Sequence, residues 1–196
     1  MSFVVFEGGD ASGKRTQALM LAKKTRAKYM RFPAYETKYG KLVKQYLKYG
    51  ASIEEAVLLY SLDRYQFKET MESLLKRGKN IVCDRYTYSN LAFQLSRAPK
   101  TQRTTLKRWM EAVDERMPKA DAVILLDVPQ EFAEKLLEKR GRKKDIHEKN
   151  RSYQRRVREE YRRLAKEKKW IVIKCVGSNG RLRTREDIAA EISRRL

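Results

Sequence analysis

The chain has 196 residues, 41% of them hydrophobic and 36% charged, which suits one domain large enough to bury a core. Lysine and arginine outnumber aspartate and glutamate by 46 to 25, for a formal net charge of +21. No apolar run is long enough to cross a bilayer, two cysteines make no disulfide framework, and a single histidine without paired cysteines argues against a zinc site.

In chain order, five short apolar runs rich in β-branched residues read as strands: SFVVFEG (2–8), YMRFP (29–33), NIVCDR (80–85), DAVILLDV (121–128) and WIVIKCV (170–176). Between them lie longer charged segments with helical periodicity. One helix is predicted from Ile53 to Lys76, stopped by Gly78, with Ile53, Val57, Tyr60, Phe67, Met71, Leu74 and Leu75 at helical spacing. A later helix carries Tyr153, Val157, Tyr161 and Leu164 on one stripe suited to a sheet face. Continuous apolar strands alternating with helices predict an α/β fold with a five-stranded parallel sheet covered on both faces, in one domain spanning 1–196. Cys83 and Cys175 sit in apolar strand runs and read as buried, reduced thiols; with no secretory signal in the sequence, the expected location is cytoplasmic.

The charge has two readings. Basic residues spread over most predicted helices and mixed with acids at helical spacing fit an ion-paired enzyme surface for anionic substrates, of a kind common in thermophiles. A nucleic-acid-binding patch is the alternative from another class, although no nucleic-acid motif is present.

The stretch FEGGDASGKRTQ (6–17) carries the chemistry. Gly8 to Lys14 matches G-x-x-x-x-G-K after a strand and before a helix, the context of a phosphate-binding loop. Gly8, Gly9, Asp10, Ala11, Ser12, Gly13, Lys14, Arg15 and Thr16 would wrap a nucleotide's phosphates with backbone N–H groups, and Lys14 would neutralise the β- and γ-phosphates. Arg15 is the departure, since a hydroxyl at that position normally ligates Mg²⁺ and a guanidinium has no lone pair to offer. Asp84, or alternatively Asp10, would then hold the metal, Asp84 through water, or Arg15 would itself supply charge at the phosphates. Arg85, directly after Asp84, is placed to clamp phosphoryl oxygens.

With these pieces assembled, the sequence resembles the thymidylate kinase family. The loop is similar to FEGxDxxGKxTQ; RFPAYETKYGKLVKQYL resembles the family's Phe-Pro segment, LLYSLDRYQ its substrate helix, and DRYTYSNLAFQ its Asp-Arg-Tyr motif, all in the right order. The resemblance implies a P-loop nucleoside-monophosphate kinase fold with a mobile basic lid at about 139–150, usually homodimeric, transferring the γ-phosphoryl of ATP to dTMP with Mg²⁺. It implies that Asp10 approaches the deoxyribose 3′-hydroxyl, Tyr60 stacks on thymine, Arg64 bonds a thymine carbonyl and Arg85 holds the dTMP phosphate. Phe32 and Leu47 would wall the base, Phe93 would crowd the sugar's 2′ position, and Ser89 and Asn90 would reach the base edge. Arg140 and Arg142, with Lys143 and Lys144, would act from the lid. Ala34 and Tyr35 stand where some relatives carry a phosphate-binding arginine, and Ala11 where one subgroup has a loop arginine. A related kinase with another acceptor, such as dUMP, is the nearest alternative.

Overall fold

The computed structural model describes residues 2–138 and 150–196. The predicted lid, including Arg140, Arg142, Lys143, Lys144 and His147, lies outside the described residues. The chain runs β1 (Phe3–Glu7), α1 (Lys14–Thr25), β2 (Lys28–Arg31), α2 (Lys38–Tyr49), α3 (Ile53–Tyr65), α4 (Lys68–Lys76), β3 (Ile81–Asp84) and α5 (Thr87–Leu95). It continues through α6 (Arg103–Val113), β4 (Ala122–Asp127), α7 (Gln130–Glu138), α8 (Arg151–Glu167), β5 (Ile171–Lys174) and α9 (Arg185–Arg195).

All five predicted strands form, in one parallel sheet of order β2-β3-β1-β4-β5. The central strand β1 is buried throughout, which is why its sequence is a continuous apolar run. Alternate residues face opposite layers. Val4, Phe6, Val82, Ile124, Leu126 and Ile173 pack with Ala18, Leu21 and Ala22 of α1 and Ile188 and Ile192 of α9. On the other face, Phe3, Val5, Ile81 and Cys83 meet Met71 and Met117, while Leu125 meets α3, α5, α6 and α8. The stripe on α8 does what its spacing predicts: Tyr153, Val157, Tyr161 and Leu164 are all buried against that layer. Cys83 and Cys175 are buried, free thiols on different segments, as expected from their apolar settings.

The single helix expected over 53–76 is two helices, α3 and α4. The Gln66 side chain donates to the Asp63 carbonyl (2.8 Å) and Oδ1 (3.2 Å), taking the acceptor that the Phe67 N–H would use in a continuing helix. The Phe67 N–H instead reaches Arg64 O at 2.9 Å. The break lets α3 line a pocket through Tyr60, Asp63 and Arg64 and turns α4 to bury Met71 under the sheet. Hydrophobic periodicity runs through the break unaltered, so it left no trace in the sequence pattern.

β1 lies between β3 and β4, so the chain leaves it toward one side of the sheet first and the other side later. In open parallel sheets a crevice forms at such a switch point, outside the strands' carboxyl ends. The residues closing β1 and β3 there are Glu7 and Asp84.

Leu164, fully buried where α8 meets the sheet layer, measures how much this face contributes. Leu164→Ala is expected to destabilise the chain by about 3 kcal/mol in urea unfolding, within the usual cost of emptying a leucine site; a loss below about 1 kcal/mol would mean that α8 is only loosely docked.

Candidate active site

The loop between β1 and α1 is shaped by two glycines. Gly8 has φ +144°, and a Cβ there would sit 2.7 Å from the Leu126 carbonyl oxygen on the neighbouring strand. Gly13, the N-cap of α1, has φ +85°, left-handed geometry that costs a side-chain-bearing residue. Ala11 also adopts positive φ, at +58°. No side chain caps α1 at Gly13, and its first turn holds no acid, so its N–H groups face the cleft without a carboxylate of their own helix to occupy them.

Lys14 folds back over this loop. Its Nζ donates to Gly9 O (2.7 Å) and Ser12 Oγ (3.2 Å), and the side chain is buried. Burial and, secondarily, the nearby Arg85 charge pull its pKa down to about 7, against the opposing pull of Asp84, Asp10 and Glu7. The amine is thus held in a place that disfavours its charge until an anion arrives. Arg15, one residue on, is exposed and lines the same cleft as Lys14, Arg31, Asp84 and Arg85. Thr16 lines that cleft and also a neighbouring cavity.

Arg85 is the hub. It follows β3 at φ +70°, an uncommon backbone state for a non-glycine residue, held by its N–H bonding Phe6 O at 2.9 Å. Nη2 pairs with Asp10 Oδ1 at 2.6 Å, and Nη1 donates to Gly8 O (3.2 Å), Ser89 Oγ (3.1 Å) and Tyr161 Oη (3.0 Å). The guanidinium also lies 5.1 Å from the Phe93 ring centroid. Burial opposes its charge, but Tyr161, Asp10, Asp84 and Glu7 more than offset this and hold the group protonated. Asp10 accepts a second hydrogen bond from Gln154 of α8, at 3.1 Å.

Beside the loop cleft is a second pocket, walled by aromatic side chains with a few polar groups among them. Phe32, Leu47, Tyr60, Arg64, Ser89, Asn90 and Phe93 all line it, with Asp10 and Arg85 at the boundary it shares with the cleft. The structure therefore brings every expected acceptor-site residue to one cavity. Tyr60 meets Tyr46 edge to face at 5.8 Å. Phe32 packs edge-on against Phe67 at 5.6 Å, so it is part of the core as well as of the wall.

Three local details differ from the sequence reading. Arg64, expected at a thymine carbonyl, is 2% exposed, and its Nη2 is already engaged, donating to Asp114 at 2.8 and 2.6 Å and to Ser61 Oγ at 3.0 Å. Asp63 turns the other way to accept from the Ala34 N–H, which fixes the Phe-Pro segment. The Ser89 hydroxyl, expected at the base edge, is engaged with Glu7, Arg85 and Tyr161. Asn90 donates to Val57 O at 3.1 Å, and its buried Oδ1, on the wall of the pocket, has no partner among the described residues. Arg64 Nε is likewise buried and without a partner among the described residues.

A model of the family described as thymidylate kinase matches residues 6–184. Thymidylate kinase of Plasmodium falciparum is 35% identical over 87% of this chain and 80% of its own length. Probable thymidylate kinase of Methanocaldococcus jannaschii is 34% identical over 87% and 85%. The solved structure of thymidylate kinase from Candida albicans superposes with a TM-score of 0.84 at 25% identity, covering 98% of this chain and 89% of that one. The chain belongs to the thymidylate kinase family. Its five-stranded parallel sheet and phosphate loop are those of a P-loop kinase, as the sequence resemblance implied.

Membership does not identify every working residue. Glu7, Asp114, Gln154 and Tyr161 line or brace the site, and none was singled out for this from sequence. Tyr161 was read as core, and it is core, but its hydroxyl end reaches Arg85. A third cavity, against the loop's far side, is lined by Gly13, Thr16 and Gln17 and by Leu182, Arg183 and Arg185 from the segment entering α9. Only the run of polar and glycine residues at GSNGRLRT hinted at a loop there.

The low pKa of Lys14 makes nucleotide binding proton-linked. Above neutrality the free amine is largely uncharged, whereas bound phosphates favour ammonium, so binding draws in a proton and weakens as pH rises. Calorimetry of ADP binding in buffers of different ionisation enthalpy is expected to read uptake approaching one proton at about pH 8.5, with affinity falling up to about tenfold per unit above neutrality. Absence of uptake in wild type, or equal uptake in Lys14→Ala, would contradict this coupling.

Proposed function

We propose that the chain transfers the γ-phosphoryl group of ATP directly to dTMP, giving ADP and dTDP. The observation that carries this reading is the wall shared by the phosphate-loop cleft and the aromatic pocket. Asp10 and Arg85 line both the phosphate-loop cleft and the aromatic pocket. A donor tail in the first and an acceptor phosphate in the second would meet at one guanidinium.

The donor's phosphates are assigned to the Gly8–Lys14 loop, with its base in the cavity beside Thr16 and Arg183. The acceptor base is assigned to Tyr60, which offers a flat face, with Arg64 and Asn90 at its polar edge. The donor N–H on Arg64 and the acceptor oxygen on Asn90, which have no partner among the described residues, suit a base edge carrying both an acceptor and a donor. The acceptor is already an anion, so no strong general base is needed. Lys14 and Arg85 align the reacting groups and stabilise charge as it moves, while closure over the cleft would exclude water. Arg140 and Arg142 are proposed to assist from the lid.

The residues suit Mg²⁺ as the nucleotide's companion. Asp84, buried at the end of β3, lines the cleft, and Asp10 is second choice because Arg85 already holds it. Among the described residues no group of three acids, histidines or cysteines could hold a metal alone, which fits a cation that takes most of its ligands from phosphates and water. Mg²⁺ would supply charge neutralisation between the β- and γ-phosphates. Arg15 adds positive charge at the same cleft instead of a ligating hydroxyl.

The reading includes a cytoplasmic homodimer. Leu58 and Leu62, one turn apart on α3, are 46% and 42% exposed and offer an apolar face for a second copy. Among the described residues no helix is long and apolar enough to cross a membrane.

Lys14→Ala is expected to lower dTDP formation by about a thousandfold with an unchanged circular-dichroism spectrum, on the scale of losing a main charge-stabilising group; near-normal turnover would overturn its role. A panel of monophosphates with ATP decides the acceptor. The Candida albicans relative is described as having broad substrate specificity, which makes dUMP the informative competitor. Equal or better use of dUMP would displace dTMP from the assignment.

A further inference from the structure

Glu7 is the least expected group at the site. It closes β1, is 0% exposed, and no basic side chain touches it among the hydrogen bonds of the described residues. Its carboxylate accepts four hydrogen bonds. Oε1 takes the backbone N–H groups of Tyr86 (2.9 Å) and Ser89 (3.1 Å); Oε2 takes the hydroxyls of Ser89 (2.5 Å) and Tyr161 (3.2 Å). The first pair amounts to a cap. Tyr86 is the N-cap residue of α5 and supplies no side-chain cap, so a carboxylate from another strand satisfies N–H groups at that helix end. The second pair is different, because both hydroxyls also touch Arg85 Nη1, at 3.1 and 3.0 Å.

We propose that Glu7 is a positioning residue for the acceptor phosphate: it fixes the direction of the Ser89 and Tyr161 hydroxyls, and through them the aim of the Arg85 guanidinium. This rests on the assignment of Arg85 to that phosphate. The physical reason is donor–acceptor polarity. A carboxylate only accepts, so each hydroxyl that gives its hydrogen to Oε2 turns an oxygen lone pair toward Nη1. An amide at position 7 could present N–H groups instead, turning the hydroxyl hydrogens toward a cation that is itself donor-only. The guanidinium would lose two acceptors on one side while keeping Asp10 on the other, and would swing toward Asp10. Burial raises the carboxyl's pKa on balance, against the opposing pull of Ser89, Arg85, the Tyr86 N–H and Lys14. Four donors converge on this buried acid at the end of β1, where an apolar residue would pack at lower cost to folding.

The test compares dTMP with thymidine, which differ only in the phosphate, by calorimetry on the intact chain, with ADP affinity as the control for the loop. In Glu7→Gln, the dTMP-over-thymidine affinity ratio is expected to fall roughly tenfold, the scale of one charge-assisted hydrogen-bond arrangement, with thymidine and ADP affinities kept. Tyr161→Phe, which keeps the ring in the core, is expected to lower the ratio roughly threefold, and Glu7→Gln/Tyr161→Phe to be no worse than Glu7→Gln alone because both act on one guanidinium. A purely structural Glu7 would lower the melting temperature while leaving the ratio at its wild-type value, and that result in a folded variant overturns the proposal. Should Glu7→Gln fail to fold, an unchanged ratio in both Tyr161→Phe and Ser89→Ala overturns it equally. A wild-type chain that binds dTMP no better than thymidine would sink the assignment of Arg85 itself, an outcome distinct from failure of the Glu7 role alone.

Discussion

The site is organised around one partly buried guanidinium that is held both charged and still. Arg85 reaches the carbonyl of Gly8, the carboxylate of Asp10 and the hydroxyls of Ser89 and Tyr161, so one side chain ties the phosphate loop to α5 and α8. Desolvation alone would penalise this charge, and the surrounding oxygens reverse the penalty. Its backbone occupies a left-handed state that the parallel register makes possible, with the Arg85 N–H on Phe6 O next to the point where Phe6 faces Asp84. Strain of this kind persists only where the surroundings over-determine it, and here three side chains and one backbone carbonyl do so.

The same economy places Lys14 and Arg85 on opposite terms. Both are cations beside one cleft, and each makes the other's charge harder to hold. Arg85 is supplied with a carboxylate and hydroxyls, whereas among the described residues Lys14 donates to a carbonyl and a serine hydroxyl and loses its charge near neutrality. The site therefore has one cation whose charge is held firmly and one whose charge is marginal near neutrality. This division follows from geometry at the switch point, where the ends of β1 and β3 and the start of α1 converge within a few residues of chain on either side.

The high net charge finds its place at the surface. Arg158 pairs with Asp127 at the end of β4, and Arg163 bridges Glu160 and Glu167 along α8. Such pairs contribute little individually. Others belong to the architecture: Arg97 donates to Tyr46 and to Ala51 O, holding α2 and the loop before α3 against α5. Cations of this sort read in sequence as surplus charge, and the structure shows them as struts.

The loop, the five strands and the α8 stripe were legible in the sequence because each is a local pattern: glycines where the backbone turns back, unbroken apolar runs for strands covered twice, and helical spacing for a buried face. The aromatic pocket was legible only by family resemblance, since nothing in the spacing of Phe32, Tyr60, Arg64 and Asn90 shows that they meet. Tertiary structure alone decided which polar atoms answer each other. Glu7 looked like one more residue of a strand, Asp114 like a helix-end acid, Tyr161 like core, and the continuous stripe over 53–76 hid a break made by one glutamine side chain. Periodicity records which face is covered, because burial acts on every residue of an element alike. A hydrogen bond between positions 7 and 161 depends on two elements arriving at the same place, and no stretch of chain carries that information by itself.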